Sequence, residues 1–316
     1  YNAVERGPGR DLIADYVRAC REYGLRVGLY YSLMDWHHPD GGRAATNQRA
    51  RERFIKFTHN CVHELMTMFG KIDILWYDVP WPGKDAKWWQ SKKLNAMVRE
   101  LQPGILINNR SHLPEDFGTP EQHITPEQGG RAWEACMTTN ASWGFNAGDQ
   151  MWKTPEQVVE MLRQCAAGGG NLLLNVGPTA DGAIPRPAQR IFKEVGRWIG
   201  DNGEAFFGTK PVEPGQLEGI FSVNGQWTVN GRTAYLYCLA WPGESFAIGG
   251  FKAKVKSIRI LGTTQTVRFE QTKDRVVLRG LPINAPDRLC TVLAIECAGK
   301  PRNELGAGMI LPKKKS

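Results

Sequence analysis

Residues 72–82 have the strongest chemical character in this sequence. They read IDILWYDVPWP, so an apolar stretch that predicts a buried strand ends at Asp78, with Trp76 before it and Trp81 after it. A carboxylate flanked by indole rings suits the cleavage of a glycosidic bond, because the rings pack on the apolar face of a pyranose while the carboxylate attacks the anomeric carbon. Asp78 is therefore the candidate nucleophile.

Cleavage of this kind also needs a second carboxyl group as general acid and base. Acidic side chains follow the next predicted strand, and their spacing alone does not rank them: Glu115, Asp116, Glu121, Glu127 and Glu134. Arg110 stands at the end of that strand, where it either binds sugar hydroxyls or forms an ion pair with Asp78.

The histidines and cysteines do not form a metal-binding pattern. His37 and His38 are adjacent in a loop, and His59 and His63 lack the glutamate of the H-E-x-x-H motif. The seven cysteines are scattered, without zinc-site spacing. We therefore predict no metal site, and the absence of G-x-S-x-G argues against a serine hydrolase.

The elements that must position these residues repeat one unit, an amphipathic helix that ends at a glycine and is followed by a short apolar strand. Four such strands are predicted, at residues 25–31, 72–77, 105–107 and 172–174. Thr154, Pro155 and Gln157 predict a capped helix start before the last of them.

Helices that alternate with apolar strands indicate a parallel sheet covered by helices, either a barrel or a doubly wound sheet. Polar residues such as Ser32, Asp78 and Asn175 follow the strands at their C-terminal ends, where a barrel carries its active site. The glycine-rich motifs of nucleotide-binding sheets are absent. The sequence therefore favours an α/β fold with a (β/α)8-like, TIM-type barrel.

The pattern changes past about residue 209, where the hairpin signals Asn224-Gly225 and Asn230-Gly231 predict an antiparallel β-sandwich. Its strands are predicted at residues 233–240, 255–261, 266–271, 275–279 and 290–296. We accordingly divide the chain into a catalytic barrel domain at residues 1–210, a sandwich domain at 211–299 and a tail at 300–316 that we predict to be disordered.

Composition limits the class of protein. With 316 residues, 41% hydrophobic and 23% charged, the chain is that of a folded globular protein, and no window approaches a membrane-spanning run of roughly 18 apolar residues. The net charge of +8 is concentrated in the C-terminal lysines and in residues 252–259, which favours a solvated basic surface over a nucleic-acid interface. The charge also suits an acidic polymer such as a sulfated glycan. We expect a periplasmic or extracellular protein if a signal peptide precedes Tyr1, and a cytoplasmic one otherwise.

Five segments together resemble the α-L-fucosidases of glycoside hydrolase family 29. They are GLRVGLYYSLMDW at residues 24–36, DILWYD at 73–78, INNR with DFGTPE within 107–121, WEACMTTNASWGFN at 133–146, and NLLLNVGPTADGAIP continuing to DNGEAFFGT within 171–209. These segments extend over nearly all of residues 1–210, and the C-terminal sandwich resembles that of the family as well.

The resemblance implies a retaining exo-glycosidase that releases α-linked L-fucose from fucosylated oligosaccharides or glycoconjugates. The reaction would pass through a covalent fucosyl-enzyme intermediate and use no cofactor. Asp78 matches the position of the family's nucleophile, and Glu121 matches the acid/base of part of the family, with Glu134 as the reserve.

Other positions match fucose contacts of the family. Trp76, Arg110 and one of the pair Tyr30 and Tyr31 belong to this set. Strand alternation lets only one of these tyrosines face the barrel interior, and we expect Tyr31 because it lies nearer the strand tip. Trp133 and Glu134 complete the predicted substrate-binding residues.

The resemblance also implies residues ahead of Tyr1 that carry the first barrel strands, so the barrel is expected to be N-terminally incomplete in this chain. Homo-oligomerisation over the open sheet edge is one way to complete the site. The alternative function is a catalytically impaired fucose-binding or vestigial fucosidase-like protein. Sulfated fucan is a variant of the expected substrate.

Overall fold

The computed structural model describes residues 2–212, 217 and 225–304. Residues 305–316 of the predicted tail and Asn224 of the first hairpin signal lie outside the described residues. The chain forms two compact units, Tyr1–Thr119 and Pro120–Ser316. The domain limits expected at residues 210 and 299 stay predictions.

The first unit alternates helices with parallel strands. Its elements are α1 (Leu12–Glu22), β1 (Gly28–Ser32), α2 (Gln48–Met68), β2 (Ile74–Asp78), α3 (Ala86–Trp89), α4 (Ser91–Leu101) and β3 (Leu106–Ile107). The strands lie in the order β1-β2-β3, and Ser32 is the register partner of Asp78 at the C-terminal ends of β1 and β2.

One hydrophobic core fixes which face of this sheet carries polar side chains. Leu75 and Tyr77 of β2 are fully buried in the same cluster as Phe54 of α2 and Leu94 of α4. Side chains alternate along a strand, so the other residues of β2, among them Asp78, point to the opposite face. The sequence places these apolar residues two apart, and burial of their side chains stabilises that orientation by about 1.5–3 kcal/mol each.

The second unit begins with a similar arrangement. Its first elements are β4 (Glu134–Thr138), α5 (Pro155–Gly168), β5 (Asn171–Asn175) and α6 (Arg186–Asn202). The strands β4 and β5 are parallel, with Thr138 opposite Asn175. The helix start predicted at Thr154 is confirmed, since its side chain and that of Gln157 form a reciprocal capping box.

Antiparallel strands make up the rest of the second unit. They are β6 (Lys210–Pro211), β7 (Gly225–Asn230), β8 (Thr233–Cys238), β9 (Ser245–Gly249), β10 (Val255–Ile260), β11 (Arg268–Gln271), β12 (Arg275–Arg279) and β13 (Thr291–Cys297). They form one sheet in the order β10-β13-β8-β7-β6 and another in the order β11-β12-β9.

The two antiparallel sheets share a hydrophobic core. Leu236 and Ile295 of the larger sheet belong to the same buried cluster as Ile248 and Leu278 of the smaller sheet. Two sheets with interdigitated apolar faces form a β-sandwich, as the sequence predicts. No helix of the described residues is long and apolar enough to cross a membrane.

Candidate active site

Asp78 is the last residue of β2, at the C-terminal end of a parallel strand. Both of its carboxylate oxygens are engaged. The Tyr30 hydroxyl donates to Oδ2 over 2.7 Å, and Nη1 of Arg110 donates to Oδ1 over 2.7 Å. The ion pair is partly buried, with 22% of the Asp78 side chain and 18% of the Arg110 side chain exposed. Charge-assisted bonds of this length hold a carboxylate in one orientation.

Arg110 lies just beyond β3 and is held in turn by Thr119. Nε of Arg110 donates to the Thr119 hydroxyl over 2.9 Å, and Nη2 donates to the Thr119 carbonyl over 3.1 Å. The guanidinium also lies over the Trp76 ring, 5.0 Å from its centroid. A planar cation with these contacts cannot be replaced by a lysine without loss, because an ammonium group has no matching fork of donors.

Asn108 connects β3 to β2 where the regular ladder stops. Its Oδ1 accepts from the backbone N–H of Tyr77 over 3.0 Å, and its Nδ2 donates to the carbonyl of Tyr77 over 2.8 Å. Asn108 is fully buried, so these bonds satisfy groups that water cannot reach. They fix the end of β2 next to the segment that carries Arg110.

Tyr30, and not the expected Tyr31, is the tyrosine beside Asp78. Tyr30 is the register partner of Trp76, and the two rings stack with centroids 5.8 Å apart. Tyr31 packs against the helix-side core, where its phenol lies against Thr58 and Cys61 of α2. Burial raises the pKa of the Tyr31 phenol well above its usual range. Nearness to the strand tip does not separate two adjacent residues; the face of β1 that packs on α2 decides which of them lies beside Asp78.

Glu121 lies in the second unit, on a segment parallel to β4. It forms an isolated bridge with Cys136, supported by hydrogen bonds from Cys136 N to Pro120 O and from Gln122 N to Cys136 O, at 2.9 and 3.0 Å. Bridge partners face the same side of a sheet, so the Glu121 side chain points to the same side as that of Cys136.

Glu134 and Trp133 stand at the start of β4. Glu134 is its first residue, two positions before the bridge partner of Glu121, and alternation places it on the same face. Trp133 is only 3% exposed, belongs to a core cluster, and donates from its indole nitrogen to the Gly168 carbonyl over 3.1 Å. Trp133 was expected to bind substrate, but its one donor is used and its ring is covered, so its observed role is packing.

The loop after β4 presents two aromatic residues that sequence reasoning did not single out. Trp143 and Phe145 are exposed, on a loop closed by Asp149, whose carboxylate accepts from the backbone of Ala141 and Met151. The bond from Met151 contributes most to lowering the pKa of Asp149. A Cβ at Gly177 would lie 2.5 Å from this loop's backbone, so Gly177 lets it approach the end of β5. The strand before this loop, EACMT, has no clear sequence pattern, so no local signal marked the aromatic pair.

The described residues contain no cluster of three or more His, Cys, Asp or Glu side chains that could hold a metal ion.

A parallel strand that ends in a carboxylate, bound by a guanidinium and a phenol and flanked by an aromatic stack, is typical of sites that cleave glycosidic bonds. With the α/β fold around it, this arrangement suits the glycoside hydrolase class. Residues 1–204 match the family model described as Alpha-L-fucosidase, and the chain belongs to that family.

Individual relatives agree with this assignment. The chain is 28% identical to tissue α-L-fucosidase of Mus musculus over 94% of this chain and 68% of that protein. It is 30% identical to tissue α-L-fucosidase of Rattus norvegicus over 89% of this chain and 63% of that protein. The chain thus spans about two thirds of the length of these relatives.

Solved structures show the same likeness. α-L-Fucosidase isoenzyme 1 from Paenibacillus thiaminolyticus is similar with a TM-score of 0.82 and 33% identity, over 94% of this chain and 78% of that chain. An α-L-fucosidase from Bacteroides thetaiotaomicron is similar with a TM-score of 0.81 and 25% identity, over 94% of this chain and 72% of that chain.

Proposed function

We propose that this protein hydrolyses α-L-fucosyl linkages in fucosylated oligosaccharides or glycoconjugates by double displacement, with Asp78 as the nucleophile. The observation that carries the proposal is the fixed carboxylate at the tip of β2, with Tyr30 on one oxygen and Arg110 on the other at 2.7 Å each. A nucleophile held in one orientation loses little entropy as it approaches the anomeric carbon.

In the first displacement, an Asp78 oxygen forms a bond to C1 of the fucosyl ring as the bond from C1 to the leaving oxygen breaks. Glu121 gives its proton to that leaving oxygen. In the second displacement, Glu121 takes a proton from water, whose oxygen bonds to C1 as the Asp78 ester breaks. Two inversions return the α configuration. Asp78 supplies the nucleophile and Glu121 makes both proton transfers, so no cofactor is required.

The remaining residues of the first unit bind and orient. Arg110 and Tyr30 keep the Asp78 carboxylate from rotating. As the ester forms, each can replace its hydrogen bond to the carboxylate with one to a sugar hydroxyl. Trp76 helps to orient both groups, because its ring stacks on that of Tyr30 and lies against the Arg110 guanidinium. In this proposal Tyr30 takes the fucose-binding role first expected of Tyr31.

Glu121 is proposed as the acid/base in preference to Glu134. Both face the same side of β4, but Glu121 is level with Cys136 whereas Glu134 is the first residue of the strand. Two residues of a strand correspond to about 6–7 Å, which puts Glu121 nearer the C-terminal end, where catalytic groups of barrel enzymes lie.

The nucleophile is tested with Asp78→Gly on an aryl α-L-fucoside. We expect turnover to be lost and to return on addition of azide, with β-L-fucosyl azide as the product because only one inversion then occurs. Azide rescue also demonstrates that the variant is folded. Activity near that of the parent would contradict the assignment, and calorimetric binding of fucose without turnover by the unmutated chain would favour a fucose-binding protein.

The acid/base is tested by comparing Glu121→Gln with Glu134→Gln on two substrates. An aryl fucoside with an acidic phenol needs little protonation of its leaving oxygen, whereas a fucosyl disaccharide needs full protonation. We expect Glu121→Gln to lose much more activity on the disaccharide than on the aryl fucoside, and Glu134→Gln to affect the two equally. The reverse pattern would assign the role to Glu134.

We further propose that β1 to β5 are strands of a TIM-type barrel. The alternation of helices with parallel strands and the likeness to the Paenibacillus enzyme at a TM-score of 0.82 support this. A closed barrel of this type has eight parallel strands, and the described residues contain five. Completion by a second copy would appear as a dimer in sedimentation.

Sulfated fucan is proposed as one substrate within this class. A cavity of about 490 Å³ in the first unit is lined by Lys87, Lys92 and Lys93, together with Ala86 and Gln90. Sulfate groups are attracted to such a cluster of ammonium groups, and salt screens that attraction. We expect the rate on sulfated fucan to fall as ionic strength rises while the rate on a neutral fucoside does not. Equal salt dependence on both substrates would remove this proposal.

A further inference from the structure

A second aromatic stack lies beyond the C-terminal ends of β1 and β2. Trp36 follows β1 and Trp81 follows β2, and their rings stack with centroids 5.6 Å apart and planes 17° from parallel. Both indoles are open to solvent, with 73% of Trp36 and 50% of Trp81 exposed. Large aromatic rings that meet each other at the surface rather than in a core commonly mark a binding surface.

The loops that carry these rings are tightly anchored. The backbone ladder continues past the strands, with Leu33 N bonded to Asp78 O at 2.9 Å and Met34 N bonded to Val79 O at 3.2 Å. Asp35 then accepts from the backbone N–H groups of His37 and His38 at 2.8 and 3.0 Å, which fixes the turn around Trp36.

The Trp81 loop is held on its other side by buried Trp89. The Trp89 indole donates to the Pro80 carbonyl over 2.8 Å. A Cβ at Gly83 would lie 2.1 Å from the same indole nitrogen, so only glycine allows this approach. Val79 adopts a φ of 44°, a conformation that β-branched residues rarely take and that persists only where the surroundings impose it. The exposed stack is therefore presented by a rigid scaffold.

The order of groups along the two strands suggests what the stack binds. Tyr30 and Trp76 form the stack below Asp78, and Trp36 and Trp81 form the stack beyond it. Trp81 follows Asp78 by three residues, so their Cα atoms are at most about 11 Å apart. Along the two strands, Asp78 therefore follows the Tyr30–Trp76 stack and precedes the Trp36–Trp81 stack, which is the order that a fucosyl ring and its leaving-group sugar would need.

We propose that Trp36 and Trp81 form a subsite for the leaving-group saccharide, a pyranose whose apolar face packs on the exposed indole surface. This inference rests on the proposed function and adds the class of leaving group to it. The fucosyl ring occupies the side of Trp76, and the sugar to which fucose is attached extends toward the loops. A substrate with a ring in this position gains contact that a small leaving group does not.

The test compares two substrates with a common fucosyl group. One is α-L-fucosyl-(1→2)-D-galactose, and the other is α-L-fucosyl fluoride, whose leaving group has no ring. For Trp36→Ala and Trp81→Ala, we expect kcat/KM on the disaccharide to fall at least tenfold more than kcat/KM on the fluoride, which is about 1.4 kcal/mol. Trp36→Phe should recover part of the loss, and Tyr23→Ala, at another exposed aromatic residue, should change neither value.

An equal loss on both substrates would overturn the proposal, since the rings would then only shape the loops. A change in sedimentation of the tryptophan variants with an unchanged substrate ratio would also overturn it and would make the stack an interface between copies. Failure of the parent to cleave the fluoride would refute the proposed function alone. Saturation-transfer NMR of the Asp78→Asn variant with the disaccharide then tests the subsite, because galactose protons should receive saturation and lose it when Trp81→Ala is added.

Discussion

The two adjacent tyrosines of β1 provide a matched pair of variants. Tyr30→Phe removes only the hydroxyl that donates to Asp78 Oδ2 at 2.7 Å and keeps the ring that stacks on Trp76. Tyr31→Phe removes only the hydroxyl that lies against Thr58 and Cys61 on the other face of the sheet. The substitutions are chemically identical and one residue apart, so any difference between them reports the face of the strand.

The expected effect of Tyr30→Phe follows from the charge of its partner. A hydrogen bond to a charged group contributes about 1.5–3 kcal/mol, and the lower end applies because Tyr30 is 59% exposed. A loss of about 1.5 kcal/mol corresponds to roughly a tenfold fall in kcat/KM. Tyr31→Phe should instead change the free energy of unfolding by at most about 1 kcal/mol, because it removes one neutral hydroxyl from the side of the sheet that packs on α2, and should leave kcat/KM within about twofold.

The assay is initial-rate hydrolysis of an aryl α-L-fucoside beside thermal unfolding of both variants. The reasoning is refuted if Tyr31→Phe loses roughly tenfold in kcat/KM while Tyr30→Phe retains parental activity. An equal loss in the two variants would also contradict it, since the effect would then not depend on which face carries the hydroxyl.

Three further predictions concern other contacts. Arg110→Lys should lower kcat/KM by at least tenfold with little change in melting temperature, because lysine cannot bond Asp78 and Thr119 together; unchanged kinetics would contradict this. Trp133→Phe should destabilise the fold by about 1–3 kcal/mol while kcat/KM stays within about twofold, since Trp133 is a core residue. A selective rise in KM would instead show that Trp133 contacts the substrate. Arg53→Met should lower the melting temperature more at pH 7 than near pH 3. Arg53 lowers the pKa of Asp40, so the stability gained above the unfolded-state pKa of about 3.9 is lost as pH falls through the lowered value; a difference between variant and parent that is the same at both pH values would argue against the pair.

The sequence predicts the elements that have a strong local pattern. The apolar run before Asp78 becomes β2, and the capping box at Thr154 starts α5. The sequence does not predict β4, whose residues Glu134–Thr138 read EACMT and lack both a long apolar run and β-branched enrichment. Strand β4 forms because its neighbours β5 and the Glu121 segment supply hydrogen-bond partners, which is information distant in the sequence.

The candidate site likewise contains residues that the sequence predicts and residues that it does not. Asp78 and Arg110 could be predicted because strand ends in a parallel sheet carry functional groups, and the structure brings the two together. The choice between Tyr30 and Tyr31 depends on which strand face packs on α2, and one sequence contains no direct record of that. The burial of Trp133 likewise depends on close packing against Gly168 and Gly170, since a Cβ at either glycine would overlap its ring.

Asp78 is proposed to form the covalent bond to fucose. The most direct test of this bond is incubation with 2-deoxy-2-fluoro-α-L-fucosyl fluoride, which slows breakdown of the fucosyl ester, followed by peptide mapping of the labelled protein by mass spectrometry. We expect one fluorofucosyl group per chain, located on Asp78 and absent from Asp78→Gly. A label on another carboxylate would contradict this assignment. Unlabelled protein under conditions in which fluoride is released from the reagent would contradict it as well.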